Sequence, residues 1–400
     1  MGIGWVSYQI YDSLQAFSSS IAGMFASRAV LEGVGVGDAQ ASPTAALLLS
    51  VIQESVGRIA TILFAHRVGT ALEPECKMFR LAADVFNDTA MVLDCLSPAF
   101  PKTTRVLMLS MASVLRALCG VAAGSSKASL SAHFAKQGNL AELNAKDSSQ
   151  ETIISLLGML AGSFVISRVT SHSAVWTSLL ILISIHLWTN YMAVRSVILR
   201  TLNRQRANIV LSSLIGSSNL PSPQEASHLE RIFERPGLLR WVDGRILGHC
   251  MIGVELSSIL RQLPGAASRP SGKSRIYRYD LAPQKILGLF DKEFYVLWFD
   301  TRTRTAYIAL KEGCQPRDQV RAWCHALLVA RKYDLKGLEV PADQKTDYDA
   351  VPPALQLLAK TGDELSRNFH AYEDKLQSAG WDTTTIQLET RPRIRISLSE

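Results

Sequence analysis

The sequence predicts a mainly α protein, with an N-terminal membrane-associated helical bundle followed by a small α+β C-terminal domain. Three observations carry this prediction. Charged residues make up 19% of the chain, below the ~25% usual for globular proteins, and the mean hydropathy is slightly positive at +0.12. The long charge-poor runs all fall within the first two hundred residues, whereas the clearest strand signals fall near residue 300. At 400 residues the chain also exceeds one ordinary domain. The expected division is a helical membrane-associated domain over 1–206, a linker and short helix over 207–233, and a soluble α+β domain over 234–400.

Residues 8–31 are apolar or small throughout and predict a first helix. The glycines that follow (Gly33, Gly35, Gly37) come after a helix rather than a strand and lack GxGxxG spacing. They read as a helix connection, not a dinucleotide loop. Residues 44–68 and 74–96 predict two more helices, Pro98 and Pro101 break the chain, and 103–123 predicts a fourth. Three segments can enter a bilayer. Residues 106–126 are uncharged except for Arg116, and 152–167 are uncharged but, at 16 residues, short to span alone. Residues 169–194 hold 26 positions without Asp, Glu, Lys or Arg, enough to span with tilt. Trp176 at one end, with Trp188 and Tyr191 at the other, sit where interfacial aromatics belong. Gly158 and Gly162 form a GxxxG pair that lets two helices approach closely, and Gly124, Ala128 and Ala132 repeat the same spacing.

Beyond Val194 come Arg195, Arg200, Arg204 and Arg206, with no acidic residue before Glu225. Such a flank places the C-terminal domain on the cytoplasm-like side of a membrane. Residues 208–227, rich in Ser, Pro and Asn, read as a linker. Further on, 294–299 and 305–310 predict a β-hairpin around a polar turn. Pro316 opens a helix to Lys332, with Val320, Trp323, Cys324, Leu327 and Leu328 on one side. Leu358, Leu365, Phe369, Tyr372 and Leu376 recur at helical spacing, Gly380 is placed to cap that helix, and 383–388 can return as a strand.

The net charge of +7 could suit nucleic acid or anionic lipid. Its basic residues are scattered and not interleaved with aromatics, so membrane lipid is the expected partner and nucleic acid is not. Six cysteines without a CxxC pair predict reduced thiols, with no disulfide framework and no metal site. The amino terminus lacks the charged and apolar regions of a signal peptide, and Val6 stands where myristoylation wants Ser or Thr.

Residues 132–152 concentrate polar groups directly before the apolar run 153–166, among them Lys136 and Glu142. Such groups cost free energy unless they are paired, so they mark a structural lock or a binding site. His133, Asn139, Lys146, Asp147, Gln150 and Glu151 are the ligand-binding candidates. In a helix Lys146 and Gln150 share one face, as do Asp147 and Glu151. The structural expectation is a Lys146–Asp147 lock at a helix start, with Ser148 or Ser149 capping and the acids favouring the macrodipole. The alternative turns His133, Lys146 and Asp147 toward a polar cavity. Asn87, Asp88, Arg116, Asn190 and Arg195 are intramembrane polar candidates, first as interhelical hydrogen-bond partners and second as pathway residues.

The block and its context resemble the root UVB sensitive family, also described as vitamin B6 photoprotection and homeostasis proteins. The resembling residues begin with Tyr8-Gln9, Asp12-Ser13-Leu14-Gln15 and Val34-Gly35-Val36-Gly37. They continue with Arg80-Leu81-Ala82-Ala83-Asp84, Asn87-Asp88 and Phe100-Pro101. The strongest match is Asn139, Ala145-Lys146-Asp147 and Ser149-Gln150-Glu151-Thr152, with Asn190-Tyr191 and Ala193-Val194-Arg195 downstream. Coverage runs from Tyr8 to Asn203 and more weakly to Gly380-Trp381. Glu54-Ser55-Val56-Gly57 stands where the family shows an Asp-Gly-x-Gly turn, and Lys127 replaces a common Arg. The lead that often precedes the first helix is nearly absent.

The resemblance implies a membrane-associated protein tied in plants to UVB-responsive root growth, vitamin B6 homeostasis and auxin transport, and it supplies no catalytic residues. The leading expectation is a non-enzymatic membrane protein that handles or senses a small molecule. That ligand would be pyridoxal phosphate or another B6 vitamer, with no resident cofactor. The alternative is a membrane-anchored adaptor whose C-terminal domain recruits a family paralogue or another protein. A pyridoxal-phosphate enzyme built on Lys127 would need a phosphate cradle and an acid for the ring nitrogen. The local sequence, Gly124-Ser125-Ser126-Lys127, is an alanine- and serine-rich helix instead.

Overall fold

Helix follows helix through the first half of the chain: α1 (Trp5–Val34), α2 (Pro43–Leu72), α3 (Cys76–Leu96), α4 (Lys102–Phe134), α5 (Leu140–Arg168) and α6 (His172–Ser196). The computed structural model describes residues 4–34, 42–135, 138–217, 219–263, 281–336 and 353–397. It divides into two units, Met1–Ile198 and Leu199–Glu400. In the first, α1 lies against α3, α5 and α6, α3 against α4 and α6, and α2 against α4. The inner helices α1 and α3 carry the buried carboxylates Asp12, Asp84, Asp88 and Asp94, and α5 carries Asp147. A short 3-10 turn at Ser97–Ala99 holds the proline break, and Ser171 caps α6 by accepting from the Ala174 amide at 3.3 Å.

Among the described residues, four helices are long and apolar enough to cross a membrane: residues Ala46–Leu72 of α2, and α4, α5 and α6. α2 was not among the three segments expected, because Glu54 and Arg58 interrupt it. In the structure these lie one turn apart and pair at 3.4 Å on an exposed face. The 16-residue segment is the end of the 29-residue α5, which at 1.5 Å per residue is about 43 Å long against an apolar core of ~30 Å. Leu47, Ile59 and Leu63 on α2, Leu160 and Phe164 on α5, and Ile181 and Trp188 on α6 all face outward.

Gly158 and Gly162 do bring two helices together. A Cβ on Gly158 would stand 2.7 Å from the Ser20 Cβ, and one on Gly162 would stand 3.3 Å from the Ile21 Cα, so α5 rides directly on α1. The second small-residue series behaves otherwise. Gly124 faces open space and Ala128 is exposed; the inward face of α4 is Ala122, Ser126 and Leu130. Gly57 lies inside α2, where a Cβ would meet the Ser113 Oγ of α4 at 3.0 Å, so it serves a helix contact rather than a turn. Gly33 ends α1 with its carbonyl accepting from Arg105 at 2.6 Å; Gly35 and Gly37 lie outside the described residues.

The second unit runs β1 (Thr201–Asn203), α7 (Arg204–Ser217), α8 (Pro223–Leu229), β2 (Leu238–Arg240), β3 (Ile246–Ile252), α9 (Leu256–Leu260), α10 (Leu281–Leu289), β4 (Tyr295–Asp300), β5 (Thr305–Leu310), α11 (Pro316–Lys336), α12 (Pro353–Ser378) and β6 (Asp382–Gln387). The main sheet has the order β2-β3-β5-β4, with β3 and β5 parallel and the other pairs antiparallel. β4 and β5 are the expected hairpin, turned through Arg304 at φ +51°. α11 covers the sheet and packs on α12, which ends before Gly380 at φ +88°. β6 returns as expected but pairs in parallel with β1 instead of joining the main sheet.

The expected linker is not one. Ala207, Val210, Leu211 and Leu214 recur at helical spacing and bury one face of α7. Asn208 donates to the Leu238 carbonyl at 2.6 Å and accepts from the Trp323 indole at 2.9 Å. Ser222 and Glu225 form a capping box at α8. The units therefore divide at residues 198 and 199, ahead of the expected boundary at 206. Asn208, Ser212 and Ser213, read as loop formers, are buried and hydrogen-bonded inside a core.

His325 gives this unit a pH dependence. It is 1% exposed; its Nδ1 lies 3.0 Å from the Tyr295 hydroxyl, and its Nε2 lies 2.9 Å from Thr361 Oγ1. Burial pushes its pKa from 6.5 down to about 4. The unfolded chain then takes up a proton below pH 6.5 that the folded one refuses, so stability is full above that pH and falls toward pH 4. At about 1.4 kcal/mol per pH unit, the whole window is worth about 3 kcal/mol. Denaturant unfolding of the full chain should show this loss, and His325→Gln should flatten it. An unchanged acid slope in that variant would place the titration elsewhere.

Candidate functional site

The polar residues of the first unit fall on helical stripes that face one another. Asp12 and Gln15 lie one turn apart on α1. Arg80, Asp84 and Asp88 lie every fourth residue on α3, and His186 and Asn190 do the same on α6. Arg80 donates to Asp12 at 2.6 Å and to the Gln15 carbonyl oxygen Oε1 at 3.2 Å. Asp84 accepts from Gln15 at 2.5 Å and from Asn190 at 2.6 Å. His186 stands between two carboxylates, with Nδ1 2.8 Å from Asp88 and Nε2 3.3 Å from Asp84. Such an imidazole donates from both nitrogens only when protonated. Every one of these side chains is buried.

A cavity of about 240 Å³ opens against this network, lined by Asp12, Arg80, Asp84 and His186 and bordered by Asn87 and Glu151. Buried ions are costly unless their lone pairs and protons are matched. Here the match is nearly complete, and the exceptions are specific. The Arg80 Nε and the Asn190 Oδ1 are buried without a hydrogen-bond partner among the described residues. Each leaves capacity for one further polar contact.

A second polar group joins α1, α4 and α5. Lys127 reaches Asp147 at 2.8 Å and Glu151 at 2.5 Å, and the other Asp147 oxygen accepts from Gln9 at 2.7 Å. The expected Lys146–Asp147 lock is therefore replaced by a Lys127–Asp147 lock. Consecutive helical residues point about 100° apart, so Lys146 and Asp147 cannot share a face. Lys146 is 74% exposed and pairs with Glu142 at 2.5 Å, while Asp147 is buried. The shared face of Asp147 and Glu151 holds, but neither is at a helix start. α5 begins at Leu140 behind Asn139, which makes no side-chain cap bond, and Ser148 and Ser149 lie well inside the helix.

The remaining candidates scatter. Gln150 donates to Ser13 at 2.9 Å on an exposed face, and the His133 ring stacks edgewise on Phe134 at the end of α4. Asn87 lies 3.5 Å from Ser19 at the cavity border, Arg116 pairs with Asp94, and Arg195 closes the last turn of α6. Lys136 lies outside the described residues. A surface groove of about 480 Å³ runs past Lys146, Ser149 and Gln150, but no buried ionisable group faces it. No cluster of three or more His, Cys, Asp or Glu among the described residues could hold a metal ion.

Of the candidates, then, Asn87, Asp88, Asn190 and Glu151 converge on the cavity and its network. Asp12, Gln15, Arg80, Asp84 and His186 complete it and were not singled out as site residues. The signal was present as spacing: charged or amide residues three or four apart on otherwise apolar helices, too regular for a random surface.

The first unit is a helical bundle with four described helices of membrane length and a polar cavity lined by charged side chains. Residues 2–218 match the vitamin B6 photo-protection and homoeostasis domain, and residues 284–391 match the C-terminal domain of root UVB sensitive proteins. The chain belongs to the root UVB sensitive family. It is 31% identical over 390 residues to protein root UVB sensitive 3 of Arabidopsis thaliana, covering 96% of this chain and 80% of that one. It is 40% identical over 232 residues to RUS family member 1 of Dictyostelium discoideum, covering 57% of this chain but only 44% of that relative. Protein root UVB sensitive 6 of Arabidopsis thaliana is 24% identical over 381 residues, 94% of this chain and 71% of the relative. No solved structure matches the chain.

Proposed function

We propose that the helical unit sits in a membrane and that its internal cavity receives a B6 vitamer, which the protein carries or senses without transforming it. The observation that carries this reading is the cavity against Asp12, Arg80, Asp84 and His186, within a bundle whose outer helices are apolar. Ionisable groups buried in such a bundle mark a pathway or binding site. At about 240 Å³ the cavity is below the ~300 Å³ at which pockets for drug-sized ligands begin, so its ligand is small. The vitamin B6 description of the matched domain supplies the class of ligand. Lys127, the lysine a pyridoxal-phosphate enzyme would have needed, is engaged by two carboxylates, which supports binding over chemistry.

In this reading membrane lipid covers the outward apolar faces of α2, α4, α5 and α6. The second unit follows Arg195 at the end of the last span, and that basic end supports a cytoplasm-like side for it. The alternative, an anchored adaptor recruiting a paralogue or other protein through the second unit, draws on that unit's own core. Purified protein in liposomes, exposed to labelled vitamers, separates the two. Binding or uptake above protein-free liposomes is expected, and none above that background would favour the adaptor.

A further inference from the structure

The charges around the cavity are unequal. Three carboxylates line it, from Asp12, Asp84 and Glu151, against one guanidinium, from Arg80, and one imidazole, from His186. Asp88 stands directly behind the imidazole. The cations are also committed. Arg80 faces Asp12 and Gln15, and Lys127 at the Glu151 side is shared between Glu151 and Asp147. Arg80 is thus a single cation already opposed by Asp12, with its Nε and Nη1 edge outside those two bonds. That edge can meet a polar oxygen, such as a ring hydroxyl or phenolate. One opposed cation among three carboxylates cannot neutralise a phosphate, which brings about −1.5 to −2 charges and three acceptor oxygens. A protonated nitrogen, by contrast, would find carboxylates on both α1 and α3. Asp12 and Asp84 are buried, where solvent screens charge less than at the surface, so the difference in sign counts.

We infer that the cavity selects B6 vitamers that carry a protonated nitrogen and lack the phosphate ester. This rests on the vitamer reading above and narrows it. Pyridoxamine and pyridoxamine 5′-phosphate differ only in the ester and neither has an aldehyde to react with lysines, so the pair isolates the effect.

Equilibrium dialysis of the full chain in detergent micelles against each compound is the test. Pyridoxamine should bind at least about tenfold more tightly than its phosphate ester. Equal binding, or tighter binding of the ester, overturns the selectivity and leaves the vitamer reading standing. Binding of neither overturns both. The charge origin is tested by Asp12→Asn and by Glu151→Gln. The second is at an exposed position and so spares the fold, and it also releases Lys127 from one of its two carboxylates. Each should narrow the ratio between the two compounds by about threefold or more. A ratio unchanged in the Glu151→Gln protein would show that the lining charges are not its source.

Discussion

Arg80→Met should lower the stability of the helical unit by about 3–5 kcal/mol, the cost of removing one partner from a buried ion pair. Asp12, Asp84 and Asp88 would remain buried, and Asp12 would lose the guanidinium that holds it at 2.6 Å. The double variant Arg80→Met with Asp12→Leu should recover part of the loss, because both the charge and its desolvation penalty are then gone. Arg80→Lys should rescue poorly, since one ammonium on a flexible stem does not reproduce the planar fork shared between Asp12 and Gln15. Thermal melting of the detergent-solubilised protein reads all three. Melting of the single methionine variant at the wild-type temperature would mean that the network is hydrated and adds nothing to the bundle.

Arg206→Met should cost the second unit a similar amount, again about 3–5 kcal/mol. Arg206 is 1% exposed; it pairs with the buried Glu230 at 2.7 Å and donates from Nε to the Thr201 carbonyl at 2.5 Å. It is therefore a core residue of the C-terminal unit, not the last arginine of a basic flank beside a membrane. Denaturant unfolding followed by tryptophan fluorescence measures the change, because Trp323 is held by Asn208 on the same helix as Arg206. A change within about 0.5 kcal/mol, the range of ordinary surface substitutions, would return the segment to the role of a linker.

The sequence made the elements legible where a single face decides them. The hairpin of β4 and β5, the amphipathic α11 and α12, and the close approach at Gly158 and Gly162 each follow from local pattern alone. What it hid was partnership across helices. Lys146 and Asp147 are neighbours in the chain and were read as a pair, yet Asp147 looks across to Lys127, twenty residues away, and to Gln9 on α1. His186 sits in a run without Asp, Glu, Lys or Arg, and only the packing of α6 on α3 places Asp84 and Asp88 on its two nitrogens. α7 was concealed by composition, since its serines and Asn208 resemble a loop until their partners in the core are known. α2 was legible as a helix, but its capacity to cross a membrane was concealed by Glu54 and Arg58, which satisfy each other on its outer face.

Alkaline carbonate extraction of native membranes tests the central claim most directly. Four helices of membrane length, with their apolar side chains turned outward around an interior of ion pairs, should hold the protein in the pellet. The account predicts full retention with the membrane fraction, resistant to further washing. Release into the soluble fraction would contradict it, because the outward faces of α2, α4, α5 and α6 would then have to be covered by protein rather than by lipid.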